Sequence, residues 1–227
     1  MLDFAGTIAT AGLTVFVVGA LLVFIDISRS AKLGLAALFG LWIGIAAAAA
    51  ATGVMATSRP FPLIGPFVVA PLLVAILAAA WPAGRKAMLS LPLTLLIGLN
   101  AGRVFALLFL LLAAEGRLSG PFPYSAAWGD IITGVAAVPM LWFAQAGGRH
   151  KTVLHFWNAF GLADLVVAIG LGVMSAAGSP LQVFPAPGSD AMQHLPWSFV
   201  PTVLVPLWII LHAIVWGKLR QQATRAA

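Results

Sequence analysis

Four side chains interrupt long apolar runs and could do chemistry there: Asn100, Arg103, Asp130 and Asp164. Charged groups at bilayer depth are costly, so they face a protein interior, pair with one another, or mark a path for ions or solutes. Arginine offers a planar fork of donors suited to an anionic group or a carboxylate gate. An acid beside it can carry a proton or a cation. With a rise of about 1.5 Å per residue, Arg103 lies ten residues from the outer end of the segment 88–113, and Asn100 sits one turn below it on the same face. Asp164 lies twelve residues from the outer end of 153–176, at nearly the same level. Asp130 is five residues from the outer end of 125–145, within reach of an arginine that snorkels outward. Three segments thus offer complementary groups to one outward-leaning site, which Glu115 would extend at the mouth. Two readings compete. The groups bind a solute or pass protons, or Arg103 is a packing staple whose loss strands a charge at a cost of about 3–5 kcal/mol.

A second polar group is predicted nearer the cytoplasmic side: His155 and Asn158 on one face of 153–176, and His212 in the last segment. It could relay protons or sense pH. Two lone histidines could also be imagined as haem ligands, but no cofactor and no metal is expected. The chain has no cysteine, no H-E-x-x-H pair, and a single glutamate, Glu115, so no Glu-x-x-His di-iron set. No glycine-rich phosphate loop is present, and the last segment holds no lysine for a retinal Schiff base before Lys218. Enzymatic chemistry is therefore not expected.

The elements that must position these groups follow from composition. Apolar residues make up 62% and charged residues 8% of the 227, where soluble domains carry about 25% charged residues. Lipid has to be the main solvent. Seven segments are long and apolar enough to span a bilayer: 4–25, 33–55, 62–81, 88–113, 125–145, 153–176 and 197–217. An all-α integral membrane protein with a single domain over 1–227 is predicted. The links are short and rich in Gly, Pro and Ser, as at Thr57 to Pro60, Pro82 to Lys86 and Gly147 to Lys151. The N-terminus lacks the basic region of a cleavable signal.

With the N-terminus outside and the C-terminus cytoplasmic, inner loops and tail hold Arg29, Lys32, Arg85, Lys86, Arg149, Lys151, Lys218, Arg220 and Arg225, against Arg59 and Arg117 outside. That is the positive-inside bias. The basicity is a loop property, so nucleic acid is not an expected partner. Trp128 and Trp197 fall at outer helix ends, and Trp81, Trp142 and Trp216 at inner ends. The outer stretch from Ala177 to Pro196 is long for a connection and reads either as a lid or as a passive loop on the headgroups.

Residues Pro66 to Trp81 (PFVVAPLLVAILAAAW) and Pro201 to Trp216 (PTVLVPLWIILHAIVW) share six of sixteen positions, and Phe39-Gly40-Leu41 matches Phe160-Gly161-Leu162. These matches point to a parallel 3+1+3 repeat, with units 4–81 and 125–217 and a linker helix 88–113. The layout resembles that of SWEET-type sugar transporters. The likeness is architectural, because that family places its functional prolines in helices that here contain none. The phrase Trp157-Asn158-x-x-Gly161-x-x-Asp164-Leu165, with Gly129-Asp130 before it, resembles an uncharacterised family of multi-pass bacterial inner-membrane proteins over roughly the last four helices. That resemblance implies a bacterial inner membrane and carries no activity. The expectation is a small-solute or proton-coupled permease, with prolines 66, 71, 201 and 206 loosening two helices. Its partners would be the bilayer, a small polar or anionic solute, and a second copy or other membrane protein. The alternatives are an accessory or anchor subunit of a larger membrane complex, and a seven-helix sensor.

Overall fold

The computed structural model describes residues 1–57, 63–146 and 150–224. Every regular element among them is helical: α1 Leu2–Phe24, α2 Arg29–Ala51, a short α3 Val54–Thr57, α4 Ile64–Ala80, α5 Pro82–Ser90, α6 Leu93–Leu99, a 3-10 stretch Asn100–Ala106, α7 Leu107–Ala114, α8 Phe122–Gln145, α9 Lys151–Ser175, a 3-10 turn Asp190–Gln193, a π stretch Val200–Leu204 and α10 Val205–Thr224. Six helices are long and apolar enough to cross a membrane, and α4 with α5 forms a further pair bent by 106°. The chain is an all-helical membrane protein. Arg59, Arg149 and Arg225, with the expected links at Pro60 and at Gly147-Gly148, lie outside the described residues.

The main departure from expectation is at 82–93. Pro82 to Lys86 is the start of a helix rather than a loop, and the fourth span begins at Leu93 rather than at 88. Two prolines explain both breaks. A residue before proline is pushed out of the helical region, and both Trp81 (ψ 132°) and Leu91 (ψ 134°) are extended. Pro82 then starts α5 in the position where a missing N–H costs nothing. The short helix is two-sided, with Arg85 and Lys86 exposed and Met88 and Leu89 against the core. It is fastened at both ends. Arg85 Nε donates to the Ala79 carbonyl at 3.1 Å, and Lys218 Nζ of α10 donates to the Leu89 carbonyl at 2.7 Å. The bend also needs Gly84, because a β-carbon there would run into the Ala78 carbonyl.

The packing is uneven. α8 lies along α9 on one side and along the 3-10 stretch and its flanking helices on the other. The apolar span containing α10 is 67% buried, closed around Trp208, Leu211, Val215 and Leu219, whereas that of α2 is 11% buried. The long connection after α9 folds inward. Ser189 Oγ donates to the Gly172 carbonyl at 2.7 Å, Asp190 Oδ1 accepts from Ala177 N at 3.0 Å, and Ala191, Met192 and Gln193 are buried. At the same end of the bundle Trp197 Nε1 and Arg117 both donate to Asp3, at 2.7 and 2.8 Å, tying α1 to the turn before the π stretch and to the loop after α7.

The π stretch shows how a proline break is repaired. Pro206 has no N–H, so the Thr202 carbonyl four residues back loses its helical donor. Trp42 Nε1 of α2 donates to that carbonyl at 3.0 Å. An unsatisfied buried carbonyl costs about 1–3 kcal/mol. Trp42→Phe, which keeps an aromatic ring against Phe67 (ring centroids 5.1 Å apart), is therefore expected to lower unfolding stability in detergent by about that amount. An unchanged unfolding midpoint would show that Trp42 contributes packing alone.

Candidate functional site

Arg103 leaves the 3-10 stretch in the middle of the fourth span and is fully buried. Its guanidinium reaches three helices. Nε donates to Asp130 Oδ1 of α8 at 2.5 Å, and Nη2 donates to Asp164 Oδ2 of α9 at 2.6 Å. Nη1 donates to the Gly161 carbonyl of α9 at 3.1 Å and meets His212 Nε2 of α10 at 3.0 Å. Trp208 stacks over the group, its ring centroid 5.9 Å from the guanidinium carbon. An arginine has only donors, so His212 Nε2 must accept. The imidazole is then the neutral tautomer with its hydrogen on Nδ1, which donates to Asn158 Oδ1 at 2.9 Å. Asn158 Nδ2 in turn donates to the His212 carbonyl at 3.1 Å.

The two polar groups expected from the sequence are therefore regrouped. His212 and Asn158 belong to the arginine cluster, not to a separate cytoplasmic group. His155 stays apart, edge-on to Trp216 with ring centroids 5.6 Å apart. Both His212 nitrogens are engaged, which leaves none for an axial metal bond. Asn100 is buried below the arginine and turns its amide back to the Leu96 carbonyl at 2.9 Å, with Oδ1 unpartnered among the described residues. Glu115 lies exposed at the end of α7, 3.9 Å from Arg117, and does not join the cluster.

Two glycines make the cluster geometrically possible. A β-carbon at Gly129 would fall within the Asp164 carboxylate, and one at Gly161 would lie 2.6 Å from the His212 ring. In the sequence these glycines served only to mark the family likeness of the Trp157–Leu165 phrase, and not as room for the cluster. Their signal was the spacing: Gly161 sits three residues before Asp164, on the same helix face.

Charge follows from the geometry. One guanidinium faces two carboxylates, and the histidine is neutral. With both acids ionised the cluster carries one surplus negative charge. In a low-dielectric interior a lone charge of that kind needs a proton or a cation.

Beside the cluster is a cavity of about 800 Å³, on the side of the cluster that faces the long connection after α9, and walled by α4, α7, α8, α9, that connection, the π stretch and the start of α10. Its surface is mostly apolar, from residues such as Val68, Phe109, Phe122 and Leu165, with Ser179, Ser189 and Gln193 as neutral polar residues and, among the described residues, Asp130 as the one ionisable side chain. Arg103 does not line it. Among the described residues Asp130 engages the arginine through Oδ1 alone.

A family model described as a domain of unknown function, DUF8737, matches residues 60–220. The chain belongs to this family. The DUF8737 match takes in α4 through most of α10, and with them the whole arginine cluster and the cavity, while α1 and α2 precede it. The family likeness read from the Trp157–Leu165 phrase is thus borne out as membership of an uncharacterised family, reaching one helix further toward the N-terminus than expected. No curated protein and no solved structure matches the chain.

Proposed function

We propose that this membrane protein is a proton-coupled permease for a small solute, with the Asp130–Arg103–Asp164 triad as its exchange site. The observation that carries this reading is the charge imbalance just described. Two acids from two helices share one arginine from a third, and one of those acids borders a cavity large enough for a small molecule. A purely structural pair would be neutral at one acid per arginine. The second acid supplies a group that must be protonated or paired with a cation in each state of the cycle. Arg103 is sealed and its donors are taken up by acids, a carbonyl and a histidine. It therefore positions the acids instead of holding an anionic solute.

The reading includes seven spans, with the bent α4–α5 pair as the third and α5 lying along the inner surface. It includes an outside N-terminus, a cytoplasmic C-terminus and a location in a bacterial inner membrane. The 3+1+3 repeat would place α4, with Pro66 and Pro71, in the position corresponding to the π stretch and α10, with Pro201 and Pro206, and α4 does pack against both.

The test uses the purified protein in proteoliposomes with a trapped pH indicator and an imposed pH gradient. Amines, carboxylates, sugars and zwitterions are added in turn. At least one class is expected to dissipate the gradient in a protein-dependent way, and Asp164→Asn should abolish this. Because Arg103 and Asp130 remain as a neutral pair, Asp164→Asn should unfold within about 1 kcal/mol of the parent. Loss of folding in Asp164→Asn, with no class active in the parent, would leave only the packing staple.

A second reading has its own support. The apolar stretch of α2 is 11% buried, and nothing lies within 4 Å of a β-carbon built on Gly34, Gly40 or Gly44. Small residues allow close approach of another helix in lipid, as an accessory subunit would require. A partner copurifying in fixed proportion from native membranes would favour it.

A further inference from the structure

The geometry points to a lipophilic cation as the occupant of the cavity: a bulky apolar molecule with one positive charge, held by the apolar walls with its charge against Asp130 and exchanged for a proton. The inference rests on the permease reading and names its substrate class.

Three observations carry it. The cavity, at about 800 Å³, falls in the range that holds drug-sized ligands. Its lining selects against a hydrophilic solute, because a sugar or amino acid would leave most of its polar groups facing Val68, Phe109, Phe122, Leu165 and Ile169, with only Ser179, Ser189 and Gln193 as neutral polar neighbours. Among the described residues, the one ionisable group on its wall is an acid, while the compensating arginine is sealed behind it. An anion entering the cavity would meet a carboxylate first. A neutral apolar molecule would leave the cluster's proton in place and so could not be exchanged for it. A lipophilic cation answers both, filling the space and neutralising the charge.

The route in follows from the rim. Val69 of α4, Val173 of α9 and Leu181 of the outer connection line the cavity and are exposed on the apolar surface of the molecule. In a bilayer these face the acyl chains of the outer leaflet, where lipophilic cations concentrate. The exchange balances in charge. In the empty state one proton neutralises the two-acid, one-arginine cluster. When the cation docks, that proton leaves to water and the cation takes its place.

The probe is tetraphenylphosphonium, added to the purified protein in a neutral detergent and followed by equilibrium dialysis. A parallel titration in weakly buffered solution reads released protons. Saturable binding with release of about one proton per cation is expected. Asp130→Asn should weaken binding at least about tenfold and abolish the proton release. Val69→Trp fills the rim from a side chain that is 51% exposed, so folding should be unaffected while affinity falls by a similar factor. Tetraphenylborate, of the same shape and opposite charge, should not compete.

Equal binding of the two ions would overturn the inference, as would unchanged affinity in Val69→Trp. The two proposals fail separately. If another solute class dissipates the pH gradient but tetraphenylphosphonium does not bind, the substrate class is wrong and the permease stands. If it binds and releases a proton but neither it nor any other solute dissipates the gradient, the site stands and the permease falls.

Discussion

Arg103→Met is expected to be the most destabilising single substitution in this protein, and neutralising both acids should largely reverse the effect. The side chain has no exposed surface, and its two acidic partners are themselves nearly sealed, at 6% and 7% side-chain exposure. Removing the guanidinium leaves two carboxylates facing each other across a dry gap. Breaking a buried ionic group in this way costs about 3–5 kcal/mol, mostly from the uncompensated charge left behind. A large share of a membrane protein's yield would be lost with it. The triple variant Arg103→Met, Asp130→Asn, Asp164→Asn has no charge to strand. Well-packed neutral replacements of buried ion clusters are often no less stable than the original. Unfolding midpoints in detergent should therefore rank the parent and the triple variant close together and the single variant far below, with exchange absent from both variants. A triple variant as unstable as the single would show that the hydrogen-bond geometry of the cluster, and not its charge, holds the helices.

Gly129→Ala should disable the site without touching a charge. The added methyl would occupy the place of the Asp164 carboxylate. Glycine here is a matter of room: α8 and α9 lie along one another at this level, and neither backbone can withdraw without disturbing the rest of the core. Asp164 must instead rotate away from Arg103, giving up its 2.6 Å bond. Overpacking of this kind costs about 1–3 kcal/mol, and exchange in proteoliposomes should fall as far as in Asp164→Asn. The diagnostic is a coupling measurement. Gly129→Ala in an Asp164→Ala background should cost far less stability than in the parent, because the shortened side chain leaves the methyl its space. Neighbours in contact commonly show such interaction energies of about 0.5–3 kcal/mol. Purely additive losses would mean that the methyl strains α8 itself, and that Asp164 is not what Gly129 makes room for.

Much of this architecture could be read from residue types alone, for an identifiable reason. A chain that is 62% apolar and 8% charged has one available solvent, and in that solvent each span must satisfy its own backbone hydrogen bonds. Helix existence is therefore a local property, legible segment by segment. The expected spans fall on α1, α2, α4, the α6–α7 run, α8, α9 and the last helix. Local information also failed locally. Pro82 was read as part of a loop and Pro92 was passed over inside the expected span 88–113, yet each fixes only the residue before it, and Pro82–Ser90 were free to form α5. The rare charged groups were equally legible, because at bilayer depth they are exceptions that call for partners.

What only the tertiary structure decided was which exceptions meet. Depth along a helix follows from counting, at about 1.5 Å per residue. The rotation of one helix against another does not, since it depends on which small residues let two backbones approach. That is why His212 was assigned to a cytoplasmic group and is found on the arginine, while His155, close to it in estimated depth, faces Trp216 instead. Gly129 and Gly161 set those approaches. The cavity beside Asp130 is a non-local object of the same kind, bounded by five helices, a folded connection and a π stretch. By itself the sequence determined the solvent, the helices and the short list of costly side chains. The fold decided that two acids share one arginine, and that the surplus charge borders an apolar space, because both depend on contacts between segments tens of residues apart.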